Sequence, residues 1–234
     1  MLTQALFVMF IAHFLGDYIL TTGEIANGKS SEYYYTFLHC VLYTLIHYAG
    51  CLFLGITVAS FMLATVISLS HAIVDFIKSY ITINKDELMA KGIGFVKYGK
   101  FLYMADQHIH YFLTFLFCDM FASQLGVSNV NIEVCRYILF FAIMWQPTYV
   151  TYRVLTNTGY MIGNPFETKD SLLKIYILVI GLCYVINPLL VILPIVIYFV
   201  FNDKLKNKIK PSALLMGLII SVYASFWLDF FMSL

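Results

Sequence analysis

Apolar stretches of bilayer-spanning length dominate this chain, and each of the first four carries ionisable side chains in its interior. A helix that crosses a hydrocarbon core needs roughly 20 apolar residues. On that rule the sequence predicts helices over about 2–20, 36–54, 57–78, 101–122, 134–152 and 212–231, with a further apolar run over 171–201. Lipid offers no partner to a backbone N–H or C=O, so such stretches must be helical. Composition agrees: 61% of residues are hydrophobic and 12% charged, against about 25% charged in a soluble domain. The expected fold is an all-α polytopic transmembrane helix bundle of about seven or eight membrane segments. It would form a single integral membrane domain over 1–234, with a four-helix polar-site half over 1–122 and a C-terminal helical half over 134–234.

The segment count turns on the run over 171–201, which Asn187-Pro188 interrupts. Proline removes a backbone donor and clashes with the preceding turn, so the run is either one kinked span or a hairpin of two short arms, re-entrant or crossing. If it is a hairpin, thirteen of the fourteen basic residues fall on one side and only Arg136 on the other. The positive-inside rule then predicts a protein of the cytoplasmic (inner) membrane, its basic side cytoplasmic and its N- and C-termini outside. The net charge of +1 and the lack of a like-charge run argue against a nucleic-acid partner. Membrane lipids are the expected surroundings. The five cysteines (Cys40, Cys51, Cys118, Cys135, Cys183) have no CxxC spacing and read as small buried hydrophobes. The first apolar stretch has neither a basic n-region nor a small-residue cleavage site, which predicts a retained span.

Ionisable groups recur inside four of these helices: His13 and Asp17 in the first, His39 and His47 in the second, His71 and Asp75 in the third, and Asp106, His108 and His110 in the fourth. Residues four apart share a helix face, so His13/Asp17, His71/Asp75 and Asp106/His110 repeat one geometric device. His39 and His47 also share a face, with Tyr43 between them, whereas His108 falls off the Asp106/His110 face. At 1.5 Å per residue, all but His47 are expected within about 15 Å of the cytoplasmic interface. A single such pair has a structural reading, because groups near a helix end snorkel to water. Several at one depth point to a common partner, since buried charge is costly unless paired or coordinated. Imidazole with carboxylate suits a divalent ion such as Zn, Fe or Mn, or a two-metal site, and the lack of cysteine ligands argues against a structural zinc knot. The candidate metal ligands are His13, Asp17, His39, His71, Asp75, Asp106 and His110, with Asp17 and Asp106 also candidate general bases. Lys29 and Lys78 flank the set and are either phosphate-binding groups or ordinary positive-inside lysines. Gln107 and His47 are candidate supporting or substrate-contacting residues.

In order and spacing these residues resemble the bacterial polytopic membrane proteins of domain-of-unknown-function family 3307. The resemblance rests on HFLGD (His13, Asp17), on Lys29 before a helix that starts with His39, on SHAIVDFIK (His71, Asp75, Lys78) and on DQHIH (Asp106, Gln107, His110). It covers about the first 115 residues and implies a shared polar site. The chain departs from the family pattern at Thr21, which stands where a glutamine is usual, so the polar contact of that glutamine is not implied.

Three functions are compatible with such a site. The first expectation is a membrane-embedded metal-dependent hydrolase or transferase that acts on a lipid-like or lipid-linked substrate at the cytoplasmic leaflet. The alternative is a metal-ion or proton transporter that uses the intramembrane His/Asp cluster, although transport sites normally lie near the midplane and here only His47 is deep. The third is a structural or assembly membrane protein whose ionic groups hold the helices in register.

Overall fold

The computed structural model describes residues 1–126, 130–155, 171–200 and 211–234, and every regular element among them is helical. In chain order these are α1 (Leu2–Phe14), continued by a π turn (Leu15–Ile19), α2 (Gly23–Gly28), α3 (Tyr33–Leu54), α4 (Val58–Ile83), α5 (Lys85–Ala90), a 3-10 turn (Gly94–Lys97), α6 (Gly99–Phe121), a second 3-10 turn (Ala122–Gln124), α7 (Ile132–Leu155), α8 (Ser171–Ile186), a third 3-10 turn (Pro188–Val191), α9 (Ile192–Val200) and α10 (Pro211–Ser233). Four helical stretches are long and apolar enough to cross a membrane: Leu2–Ile19, Tyr33–Leu54, Val58–Ile83 and Leu215–Ser233. The chain forms two compact units, Met1–Cys135 and Arg136–Leu234.

In the first unit α1 packs on α3 and α6, and α4 packs on the same two, which closes a ring of four helices. Helix α1 is buried on nearly every side, from Ala5 through Phe14 except Ile11. The other three are two-faced in a way opposite to a soluble bundle. On α3 the outward residues Phe37, Val41, Leu45 and Leu52 are apolar and exposed, while the inward Thr36, His39 and His47 are polar and buried. Helix α4 repeats this, with Leu69, Ile73 and Ile77 outside and Ser68, His71 and Asp75 inside. Burying the polar stripe and exposing the apolar one is favourable only where the surroundings are apolar. A capping box starts α4: Thr57 Oγ1 accepts from the Ser60 amide at 3.1 Å and Ser60 Oγ from the Thr57 amide at 3.0 Å, which satisfies two of its orphan donors. Residues 79–100, which follow the third predicted span, are largely helical, because α4 runs on to Ile83 and α5 follows after Asn84.

In the second unit the apolar run breaks at Asn187, which is extended (φ −161°, ψ 122°), and its side chain accepts from the Leu189 amide. Tyr176 near the start of α8 meets Tyr198 near the end of α9, their ring centroids 6.4 Å apart, and the Tyr176 hydroxyl donates to the Pro194 carbonyl. The two arms therefore fold back on each other around Ile180 and Val191. Helix α10 packs along α8, where Gly217 faces Ile177 and Ile180. Arg136, the one basic residue expected on the outer side, pairs with Asp229. The polar segment over 156–170 and the lysine-rich segment over 201–210 lie outside the described residues.

Candidate metal centre

Four elements deliver the predicted polar residues to one end of the first bundle. Asp17 lies two residues from the end of the π turn, His39 six from the start of α3, Asp75 eight from the end of α4 and Asp106 seven from the start of α6. At 1.5 Å per residue these offsets are all about 12 Å or less. His13, His39, His71, Asp75, Asp106 and His110 are at most 4% exposed, and three overlapping groups among the seven could hold an ion: His13, Asp17 and His71; His39, His71 and Asp75; Asp75, Asp106 and His110.

Each i, i+4 pair shares a face, yet the closest contacts run between helices. His13 Nε2 is 3.7 Å from Asp17 Oδ2, His71 Nε2 3.6 Å from Asp75 Oδ2 and His110 Nε2 3.3 Å from Asp106 Oδ1. His39 Nε2, by contrast, lies 3.2 Å from Asp17 Oδ1, 3.2 Å from Asp75 Oδ2 and 3.1 Å from His71 Nε2. His71 Nε2 is also 3.3 Å from Asp17 Oδ1. Asp17 Oδ1, His39 Nε2, His71 Nε2 and Asp75 Oδ2 thus form a compact set in which five of the six separations span 3.1–3.6 Å. Two ligands placed about 2.0–2.1 Å from a common tetrahedral centre stand about 3.3–3.4 Å apart, so each of these five pairs is at ligand spacing.

Hydrogen bonding explains why these atoms are poor partners for one another. The Thr21 hydroxyl donates its single proton to the Gly16 carbonyl at 2.5 Å, so its oxygen accepts from His39 Nδ1 at 2.9 Å. Neutral His39 therefore carries its proton on Nδ1 and turns a bare Nε2 lone pair toward two carboxylates and another imidazole. A lone pair facing acceptors needs a proton or a metal cation between them, and orienting a ligand through its other nitrogen is how proteins prepare a metal-binding histidine. His13 Nδ1 is 2.8 Å from the Tyr43 hydroxyl, a contact that holds the ring with its Nε2 toward Asp17. Among the described residues His13 Nε2, Asp17 Oδ1, Asp106 Oδ1 and His110 Nε2 are buried without a hydrogen bond. Each of these atoms points at the others of the cluster. The donor set and its unpaired atoms fit a divalent metal.

Lys29 and Lys78 close the cluster from its edge. Lys29 Nζ donates to Asp75 Oδ2, and Lys78 Nζ donates to Asp106 Oδ2 at 2.6 Å, their side chains 17% and 27% exposed. Gln107 Nε2 also donates to Asp106 Oδ2, at 3.0 Å, while its Oε1 accepts from the Tyr18 hydroxyl at 2.6 Å and the Tyr111 hydroxyl at 3.3 Å. Aromatic rings wall the cluster: Tyr43 stacks on His71 with centroids 3.5 Å apart and on His47 at 4.1 Å.

The family model described as "Protein of unknown function (DUF3307)" matches residues 5–138. The chain belongs to this family. The DUF3307 match contains all seven converging residues and both lysines. No curated protein and no solved structure matches the chain. In this DUF3307 member the residues singled out from sequence sort into distinct positions. His13, Asp17, His39, His71, Asp75, Asp106 and His110 converge, and Lys29, Lys78 and Gln107 each donate to a carboxylate of the set. His47 stands apart: its Nδ1 donates to the Tyr43 carbonyl at 3.0 Å and its ring backs Tyr43. His108 is exposed and bonds only to the Met104 carbonyl of its own helix among its described contacts. Three participants were not assigned from sequence. Thr21 supplies the contact that orients His39, Tyr43 backs His71 and holds His13, and Tyr18 fixes Gln107. A hydroxyl within or beside a helix of a membrane protein is too common to single them out.

Proposed function

We propose that this DUF3307 protein is a membrane-embedded metal-dependent hydrolase or transferase that acts on a lipid-like or lipid-linked substrate at the cytoplasmic leaflet. The observation that carries this reading is the convergence of Asp17 Oδ1, His39 Nε2, His71 Nε2 and Asp75 Oδ2, with each imidazole nitrogen 3.1–3.6 Å from the other and from both carboxylate oxygens. Zn, Fe or Mn suits imidazole with carboxylate. A bound ion of this kind lowers the pKa of water and polarises a carbonyl or phosphoryl oxygen. Around it the chain's own residues bind, orient and exclude water. Asp17 or Asp106, whichever does not ligate the ion, accepts the proton of the attacking water. Lys29 and Lys78, partly exposed at the rim, attract an anionic group to the edge of the site. The apolar outer faces of α3 and α4 suit a substrate that arrives from the bilayer. In this arrangement the chain has seven or eight membrane segments, with α8 and α9 as a re-entrant pair and both termini outside the inner membrane.

A second reading draws on the overlap of the three donor groups, which run as a connected series from His13 to His110. That is the layout of a relay or ion path, and it would make the protein a metal-ion or proton transporter. Elemental analysis of the full-length purified protein, beside Asp75→Asn, tests the metal. The wild type is expected to hold at least one equivalent of Zn, Fe or Mn and Asp75→Asn to lose it. A metal-free wild type whose fold is indifferent to chelators would leave the proton relay and the structural role. Metal-dependent flux in proteoliposomes, lost in His71→Ala, would select the transporter.

A further inference from the structure

We infer that the centre is dinuclear, with a second divalent ion held by Asp75, Asp106 and His110 and with Asp75 as the bridging carboxylate. The inference rests on the metal reading above and goes beyond it in nuclearity. Asp75 directs its two oxygens to different partners: Oδ2 is a vertex of the His39/His71/Asp17 set, while Oδ1 lies 3.6 Å from His110 Nε2. Asp106 Oδ1 stands 3.3 Å from the same His110 nitrogen. The second group therefore meets the first only through one carboxylate, which is how two-metal sites are commonly joined at about 3.5–4 Å.

The hydrogen bonds around Asp106 divide its oxygens in the same sense. Lys78 and Gln107 both donate to Oδ2, and Oδ1 is left buried with no hydrogen bond among the described residues. His110 Nε2 is likewise buried and without a hydrogen bond, in a residue 2% exposed. Lys29 on Asp75 Oδ2 is no obstacle, because an ionised carboxylate oxygen accepts more than one partner. Three carboxylates face two lysine ammonium groups, so one divalent ion reverses the excess and a second makes the cluster strongly cationic, to be offset by hydroxide and an anionic substrate group.

Three residues hold the second position, the number typical of an ion that keeps a place for water or substrate. Asp106 then serves as a ligand, as Asp17 does at the first position.

Loading the full-length protein with Mn(II) in detergent, with ion counting and electron paramagnetic resonance, tests this. The wild type is expected to bind two ions per chain with an exchange-coupled spectrum, and His110→Ala to bind one with the six-line spectrum of an isolated ion. Asp106→Asn, which keeps side-chain size, should behave as His110→Ala does and secures the result if the alanine variant misfolds. One ion in the wild type, retained in His110→Ala and lost in His39→Ala, would overturn the dinuclear assignment and leave the mononuclear reading intact. Two ions in both His110→Ala and Asp106→Asn would also overturn it. No ion in the wild type would overturn both.

Discussion

Replacing Thr21 by valine removes one oxygen at nearly constant volume, and the structure says what that oxygen does. Thr21 is 3% exposed, donates to the Gly16 carbonyl at 2.5 Å and accepts from His39 Nδ1 at 2.9 Å. In Thr21→Val the His39 ring loses the acceptor that keeps its proton on Nδ1. It can then place the proton on Nε2, the nitrogen 3.2 Å from both Asp17 Oδ1 and Asp75 Oδ2, where it satisfies those carboxylates and excludes a cation. Loss of such an outer partner typically weakens metal affinity about 10–100-fold, which corresponds to about 1.4–2.8 kcal/mol. The apo fold should lose less than the metal complex does, because the protonated Nε2 regains hydrogen bonds. Competition against a chromophoric chelator on the purified protein measures the affinity, with circular dichroism as the check on folding. Thr21→Ser retains the hydroxyl and should restore binding to near the wild-type value. Wild-type affinity in Thr21→Val, or equal losses in the valine and serine variants, would refute the orienting role.

Gly16→Ala would place a Cβ 2.9 Å from Tyr43 Cδ2. The Tyr43 ring is clamped between His71 and His47 and cannot yield, so overpacking should cost about 1–3 kcal/mol and lower the thermal midpoint; an unchanged midpoint would show that the ring has room. His108→Ala is expected to keep the full metal content and to change stability by no more than about 0.5 kcal/mol, since His108 is exposed and bonds to its own helix. Loss of metal in that variant would place His108 in the site.

The candidate ligands were legible in the sequence because a histidine or aspartate inside an apolar helix is rare and expensive, and because spacings of four residues put each pair on one face. What those spacings did not convey is who meets whom. His13/Asp17 and His71/Asp75 are separated by 3.7 and 3.6 Å, while His39 reaches carboxylates from two other helices at 3.2 Å. The π turn at Leu15–Ile19, in which the Leu20 amide bonds to the Leu15 carbonyl, also alters the register of Asp17 relative to His13. Such turns occur often at functional sites, but no residue pattern here announces one.

By itself, then, the chain determined its helical character and the residues that must be kept from lipid, since hydropathy and side-chain charge are local properties summed along a span. The position of the break at Asn187-Pro188 was determined in the same way, because proline acts on its own turn. Tertiary structure alone decided that α1, α3, α4 and α6 close into a ring, that Thr21 and Tyr43 orient His39 and His13, and that one Asp75 oxygen faces each side of the cluster. The physical reason is that coordination and hydrogen bonding depend on the direction of single atoms to within a few tenths of an ångström. Only packing between helices far apart in the chain sets those directions.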